Sequence, residues 1–488
     1  MFNITSNTLW VRDSIYLLKG IIIVKNNATL TIEAGTTIKG SSSVPFGALL
    51  ITRGSKIIAD GTCQQPILFT SDSSGLMDSH WGGLHIIGNG PTNCVADPVQ
   101  KCVYQPFGAI YEPDYFFGGT NDPDDSSGIL RYVRIEGGGR DYVPVETSNN
   151  GLGLICVGKG TILDFVEVSH SVGDGTEIMG GNVNIRHFYS KSNYDEDFDI
   201  SLGYTGKMQF LYVLRDPTLI YVNAFPVSSQ NDPNASLNLP ITQAVISNMT
   251  ILLPGQPSTT DIKYSFLLQR NSQTSIFNSA VIGPFQSGIM LTSPGPETEL
   301  KRTFLGGTLK AGAIQSITDW FNTSGWGNQW FQNANDVQLE NWQLKRPLPL
   351  SGSPLLEAAS FSISPQLQDT FFEEVSYTGA FSTVNWTKGW AEGNGNDCQV
   401  LSTEIIEKHK NLHINPNPSR SGFWLTIDQP NQQKTWFHMI DISGKTVREG
   451  EFSGTEFYIE RGKLPAGFYF LKLNQALQPV KVMKLIFE

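Results

Sequence analysis

Residues 21–69 read IIIVKNNATLTIEAGTTIKGSSSVPFGALLITRGSKIIADGTCQQPILF, and the punctuation of this stretch decides the fold. Apolar runs of two to four residues recur at Ile21–Val24, Leu30–Ile32, Leu49–Ile51, Ile57–Ile58 and Ile67–Phe69, separated by glycine or by clusters of Asn, Asp, Ser and Thr. The gaps are too short for the crossover helices that join parallel strands, and the Asn-Gly turns of two-residue hairpins are missing. Segments that turn corners and return in parallel meet both restrictions. Each coil then buries its inward side chains against the coils above and below, as in a parallel β-helix. The same grammar continues at Leu130–Ile135, Phe165–Val168, Val183–Tyr189, Lys207–Val213, Ala244–Leu253 and Ser275–Ile282. Within Phe165–Val213 neighbouring runs lie roughly 20 residues apart, one coil each. The expected fold class is therefore all-β, with a solenoid over residues 1–395.

From about residue 311 the texture changes. Ile314 to Phe331 reads as helical turns carrying Trp320, Trp326 and Trp330, and the aromatic segment DTFFEEVSYTGAFSTVNWTKGW (369–390) follows a Pro/Ser-rich stretch. Residues 311–395 are expected to form an irregular cap, since an open solenoid end exposes unpaired strand edges. Residues 396–410 read as a polar linker. Beyond it, short alternating strands at Phe423–Ile427, Thr435–Asp441, Glu456–Ile459, Phe468–Leu473 and Val480–Phe487 predict a small β-sandwich over residues 411–488.

Composition agrees. The 488-residue chain has 48 glycines, only 16% charged residues and 11% aromatics, a mixture suited to pleated faces and tight turns. A formal net charge of −11 argues against nucleic-acid phosphates as partners and gives no attraction to anionic lipid. The most apolar stretch, Ile15 to Ile32, is interrupted by Lys19, Gly20, Lys25, Asn26 and Asn27. It is therefore neither a transmembrane segment nor a signal peptide. Among five cysteines, Cys94 and Cys102 lie in one loop-like stretch and could close a small disulfide ring, while Cys156 sits in the apolar run GLICVG and reads as a buried strand residue.

Four stretches at the end of the chain occur together and in order: NPNPS (415–419), DISGKTV (441–447), LPAGFYFLKL (464–473) and VKVMKLIF (480–487). This series resembles the type A sorting domain of the type IX secretion system. The resemblance implies an Ig-like sandwich, export through the outer membrane by the type IX secretion machinery, and attachment to surface lipopolysaccharide. That route needs a leader peptide, which residues 1–32 do not supply. The body resembles a family of secreted right-handed parallel β-helix proteins. The matching stretches include ATLTIEAGTTIKG (28–40), ITRGSKIIADGT (51–62), HWGGLHIIG (80–88), SGILRYVRIEGGG (127–139), DEDFDISLGYTGKMQF (195–210) and LLQRNSQTSIFNSAVIG (267–283). This resemblance implies a pectin lyase-like fold and a secreted or cell-surface location, and brings no assigned activity.

The candidate chemistry is acidic. Asp195, Asp197 and Asp199 alternate, so an extended backbone would place all three on one face. Three carboxylates that close call for a cation, and calcium, a hard oxygen-seeking ion, fits best. Asp122, Asp124 and Asp125 form a second acidic loop, and Asp174 with Glu177 a third. Each could instead cap turns. If the protein is an enzyme, a polysaccharide lyase or glycoside hydrolase, Asp174, Asp197 and Asp199 are the residues to carry it. No companion basic motif accompanies them, and His170 and His187 read as packed or hydrogen-bonded histidines. Seven tryptophans, Trp81, Trp320, Trp326, Trp330, Trp342, Trp386 and Trp390, fall in loops or the cap. There they are buried or offer faces to sugar rings. The leading expectation is a non-enzymatic, surface-displayed protein of adhesion or glycan binding, with cleavage around 174–199 as the alternative.

Overall fold

The computed structural model describes residues 2–73, 80–94, 121–140, 150–219, 227–230, 237–255, 264–308, 315–391, 398, 412–441, 446–475 and 478–487. The chain divides into two compact units, residues 1–399 and 400–488.

The first unit is a right-handed parallel β-helix. Among the described residues, ten short strands stack into one parallel sheet and sixteen into a second, each coil contributing to both. Register is kept from coil to coil: Leu84 aligns with Leu152, Leu152 with Thr176, and Thr176 with Phe198. The inward positions form one continuous core from Trp10 to Phe321, with Leu49, Ile86, Leu154, Ile178 and Ile200 fully or almost fully buried. Each such side chain stabilises the stack by roughly 1.5–3 kcal/mol. Outward positions of the short-strand sheet are buried as well: Ile21, Ile23, Leu50, Ile87 and Ile155 form a separate cluster with Cys156.

The long strands Gly128–Glu136, Ile162–Ser169, Asn184–Lys191, Lys207–Leu214 and Val245–Leu252 each bend at one residue held in the left-handed region. These residues are Tyr132 (φ 48°), Phe165 (55°), His187 (46°), Phe210 (59°) and Asn248 (54°). Left-handed backbone is unfavourable for aromatic residues. What offsets it is a ladder, because the register stacks these rings: centroids lie 4.5 Å apart for Tyr132–Phe165, 4.3 Å for Phe165–His187 and 5.0 Å for His187–Phe210. Each pair contributes about 0.5–1.5 kcal/mol beyond area burial.

The C-terminal part of this unit differs from a simple end cap. Helix Gln315–Phe321 covers less than the sequence suggests, and Trp320 and Trp326 pack against the main core. Residues 355–391 instead run back along the long-strand sheet. Ser360 N donates to Asn278 Oδ1, Glu373 N donates to Gln209 Oε1 and Ala380 N donates to Thr250 Oγ1. Trp386 and Trp390 then lie edge-on over Phe165, with centroids at 6.4 and 6.0 Å. The outward ladder is apolar and needs a cover, which this strap supplies. A disulfide joining Cys63 to Cys398, 335 positions apart, fastens its end to an early coil. The sequence reading missed that bridge. Cys94 is disulfide-bonded too, while Cys102 lies outside the described residues. Cys156 is fully buried. The 396–410 stretch is outside the described residues except for Cys398.

Among the described residues of the second unit, five strands pair antiparallel into one sheet, the β-structure the sequence predicted for this module. The long strand Gly422–Asp441 pairs with Leu412–Asn415 through its first half and with Gly467–Gln475 through its second. Its pairing with Thr446–Glu460 shifts register between the two halves. Phe423, Leu425 and Ile459 from one half meet Met439, Leu471 and Phe487 from the other in a single core.

Candidate functional site

Two successive coil corners build the site. Strand Ile162–Ser169 ends in a turn that leads to Thr176–Met179, and strand Asn184–Lys191 ends in an equivalent turn before Phe198–Ser201. Both corners open on a left-handed residue, His170 (φ 56°) and Ser192 (φ 52°). Backbone and side chains stitch one corner to the other. Gly175 N donates to Glu196 O at 2.7 Å, Thr176 N to Asp197 O at 3.0 Å, and Glu196 N to Asp174 Oδ1 at 3.1 Å. A side chain at Gly175 would displace Asn193, since a Cβ there would fall 2.5 Å from Asn193 Nδ2. From the coil before, Asn150 Oδ1 accepts from Asp174 N at 3.0 Å, and its Nδ2 donates to Glu177 Oε2.

The carboxylates gather differently from the alternation in the sequence. Residues 192–197 turn, and only from Phe198 is the backbone extended, so Asp195, Asp197 and Asp199 do not share a face. Asp197 is fully buried on its own network. Its Oδ2 accepts from Arg215 Nη1 at 2.8 Å, and its Oδ1 accepts from Ser190 Oγ at 2.6 Å and Asn193 Nδ2 at 3.0 Å. Arg215 also donates to Asp195 O at 2.7 Å, so this pair braces the turn. Asp174, Asp195 and Glu196 converge instead, with one carboxylate oxygen of each lying within 4.8 Å of the others. Glu177 and Asp199 stand beside them at paired register positions of the short-strand sheet. Glu196 was overlooked because alternation selects odd positions. Its position in DEDFD was the available signal.

Crowded acids hold their protons. Burial, then Asp199 and its neighbours, push the Asp174 carboxyl well above the usual carboxylate range. Burial and Asp199 push Glu177 up to about 8, and burial with hydrogen bonding and charge from Asp195 pushes Glu196 up to about 9. Oxygen donors alone, at this mutual spacing, fit a hard divalent cation. Calcium–oxygen distances of about 2.3–2.6 Å place opposite ligands about 5 Å apart. Asp174, Asp195 and Glu196 would hold such an ion.

The loop of Asp122, Asp124 and Asp125 is a set of turn caps and ion pairs. Asp122 Oδ1 accepts from Asp124 N at 2.9 Å, Asp124 pairs with Lys159 at 3.0 Å, and Asp125 accepts from Asn89 at 3.1 Å. His187 is packed in the aromatic ladder and bonded to Asp164 at 2.9 Å. Burial lowers the His170 imidazole, which sits near Lys191 and Asp216. Trp81, Trp386 and Trp390 are buried, whereas Trp330 is half exposed.

Residues 2–341 match the pectate-lyase-like β-helix domain, well over half of the chain, and the protein belongs to that family. Residues 413–488 match the secretion system C-terminal sorting domain, here of the type IX system, so the protein is secreted or displayed at the cell surface and engages that export machinery. No helix among the described residues is long and apolar enough to cross a membrane. No curated protein sequence matches. Among the solved structures that align with the chain are two tailspike proteins. The Dettilon tailspike protein is 10% identical over 60% of this chain and 62% of its own, with a TM-score of 0.23. Full-length tailspike protein 2 from the Escherichia coli bacteriophage CAB120 is 12% identical over 97% of this chain and 64% of its own, with a TM-score of 0.27. The chain thus spans a little under two thirds of the length of either.

Proposed function

We propose that this secreted β-helix protein works by binding rather than by cleaving, as an adhesion or glycan-contact protein in which calcium braces the acidic corner at 174–199. The observation that carries this reading is the use of the acidic side chains. Asp197, a residue a hydrolase or lyase would have to spare for chemistry, is consumed by Arg215, Ser190 and Asn193. The charges that perturb Asp174, Glu177 and Glu196 are all carboxylates, so the cluster is set up to attract a cation. A lyase also needs a base placed beside its substrate. A long solenoid with loops at its corners offers an extended contact surface, and surface lipopolysaccharide or extracellular glycans are the proposed partners.

The test is a glycan array run beside a polysaccharide-degradation screen on the full chain. Binding without new reducing ends or unsaturated uronates is expected. Release of such products, lost in Asp199→Asn, would establish cleavage instead. For the ion, calcium should raise the melting temperature and Asp195→Asn should abolish the rise. A melting temperature indifferent to both calcium and chelator removes the metal.

A further inference from the structure

At the late coils of the β-helix, away from the acidic corner, lies a pocket of about 530 Å³. Gly283, Pro284 and Gly307 line one part of it. Gly283 and Gly307 follow the paired residues Ile282 and Gly306, so two coils expose bare backbone at one place. Both lie in the left-handed region, at φ 134° and 79°, and neither accepts a side chain: a Cβ on Gly283 would fall 2.4 Å from Leu253 O, and one on Gly307 2.8 Å from Ala334 Cβ. The glycines let the wall approach closely without filling the hollow.

That wall is Gln332, Asn333, Asp336 and Trp342. Asn333 caps the short helical turn Ala334–Val337, its Oδ1 accepting from Asn335 N at 2.9 Å, which leaves its amide NH₂ as the group to offer a ligand. Trp342 Nε1 donates to Asn335 Oδ1 at 2.9 Å, so the indole is fixed by its edge while the ring remains partly exposed. Gln332 and Asp336 are exposed, and their side chains have no partner among the described residues.

We infer that this pocket binds a neutral oligosaccharide. The reasoning is chemical. A pocket within the size range of small-ligand sites, with one fixed aromatic plane and a few convergent polar groups, suits a ligand with a flat apolar face and hydroxyls at its rim. A sugar ring meets that description: its C–H face lies on the indole, as apolar bodies do on tryptophan. Its adjacent hydroxyls pair with one carboxylate acceptor (Asp336) and two amides (Gln332 and Asn333), groups that accept and donate side by side. The Asp336 charge repels uronates and sulfated sugars, so the ligand is neutral. This rests on the glycan-binding reading above and gives it a location.

The experiment measures binding of the full chain to cello-, xylo-, manno- and malto-oligosaccharides by calorimetry and tryptophan fluorescence. Variants are Trp342→Ala, Gln332→Ala, Asp336→Ala and, as a distant control, Asp13→Asn, an exposed carboxylate between the first strands. Because Trp342 also packs against buried neighbours, the exposed positions Gln332 and Asp336 carry the test if Trp342→Ala fails to fold. The expected result is at least about tenfold weaker binding in Trp342→Ala and several-fold weaker binding in Asp336→Ala, with Asp13→Asn unchanged. Neutral glycan binding that survives unchanged in Gln332→Ala and Asp336→Ala overturns the pocket and leaves the glycan-binding reading intact. Binding confined to acidic glycans also overturns the pocket alone. A wild-type chain that binds no glycan on the array overturns both.

Discussion

Replacing Asp197 by asparagine separates frame from site. Asp197 and Arg215 are both wholly buried and meet at 2.8 Å. The substitution keeps the shape of the side chain and an oxygen for Ser190 and Asn193, but it removes the charge that answers the guanidinium and replaces the acceptor facing Arg215 Nη1 by an NH₂ donor. Breaking one side of a buried ion pair costs about 3–5 kcal/mol, because the remaining charge stays desolvated and alone. For a long cooperative unit, where each kcal/mol shifts the midpoint by about 1–2 °C, the melting temperature should fall by roughly 3–10 °C. Replacing both partners, as in Asp197→Asn/Arg215→Met, should recover part of that loss, since no uncompensated charge then stays buried. Asp199→Asn is the contrast. Asp199 raises the proton affinity of Asp174, Glu177 and Glu196 by repulsion, so its neutralisation should leave the metal-free protein as stable or more so. Thermal unfolding of the four proteins in chelator, followed by circular dichroism and calorimetry, gives the answer. An Asp197→Asn protein that melts with the wild type, or an Asp199→Asn protein that loses as much stability as Asp197→Asn, refutes the division between bracing and binding carboxylates.

Three further outcomes are expected. In chelator, Glu177 and Glu196 keep protons when folded that they release when unfolded. Stability should be greatest below pH 4.5 as far as these groups are concerned and should decline as pH rises through about 8 to 9; calcium should flatten that decline, and a pH-independent midpoint between 5 and 9 would contradict the folded-state values. Cys398→Ser opens a closure of 335 residues and should cost on the order of 2–5 kcal/mol, with limited proteolysis cutting first within residues 355–391; cleavage elsewhere first would show that the strap is held without the bridge. Trp390→Ala removes a side chain 1% exposed against Tyr132 and Phe165 and should cost about 3–5 kcal/mol, read in denaturant unfolding, whereas Trp330→Ala, half exposed, should change little.

The sequence disclosed the solenoid because stacking constrains the inward positions of every coil in the same way. Ile178 and Ile200 occupy equivalent places, and both must be apolar. The outward ladder escaped notice for the opposite reason. Tyr132, Phe165, His187, Phe210 and Asn248 occupy one structural position but differ in chemistry, and coils of unequal length space them unevenly along the chain. The Cys63–Cys398 bridge left no local trace, whereas the nearness of Cys94 and Cys102 drew attention to a short ring. The acidic corner shows the same limit at the level of single residues. Alternation is a property of strands, and it fails where the coil turns. Asp197 therefore points to Arg215, and Glu196, at an even position, joins Asp174 and Asp195. In this cluster Asp174, Asp195 and Glu196 sit at the corners, where periodicity has already broken down, while Glu177 and Asp199 lie on the strands beside them. Here the rule that finds the scaffold is for that reason a poor guide to the corner residues, which are placed by the hydrogen bonds that fold each turn.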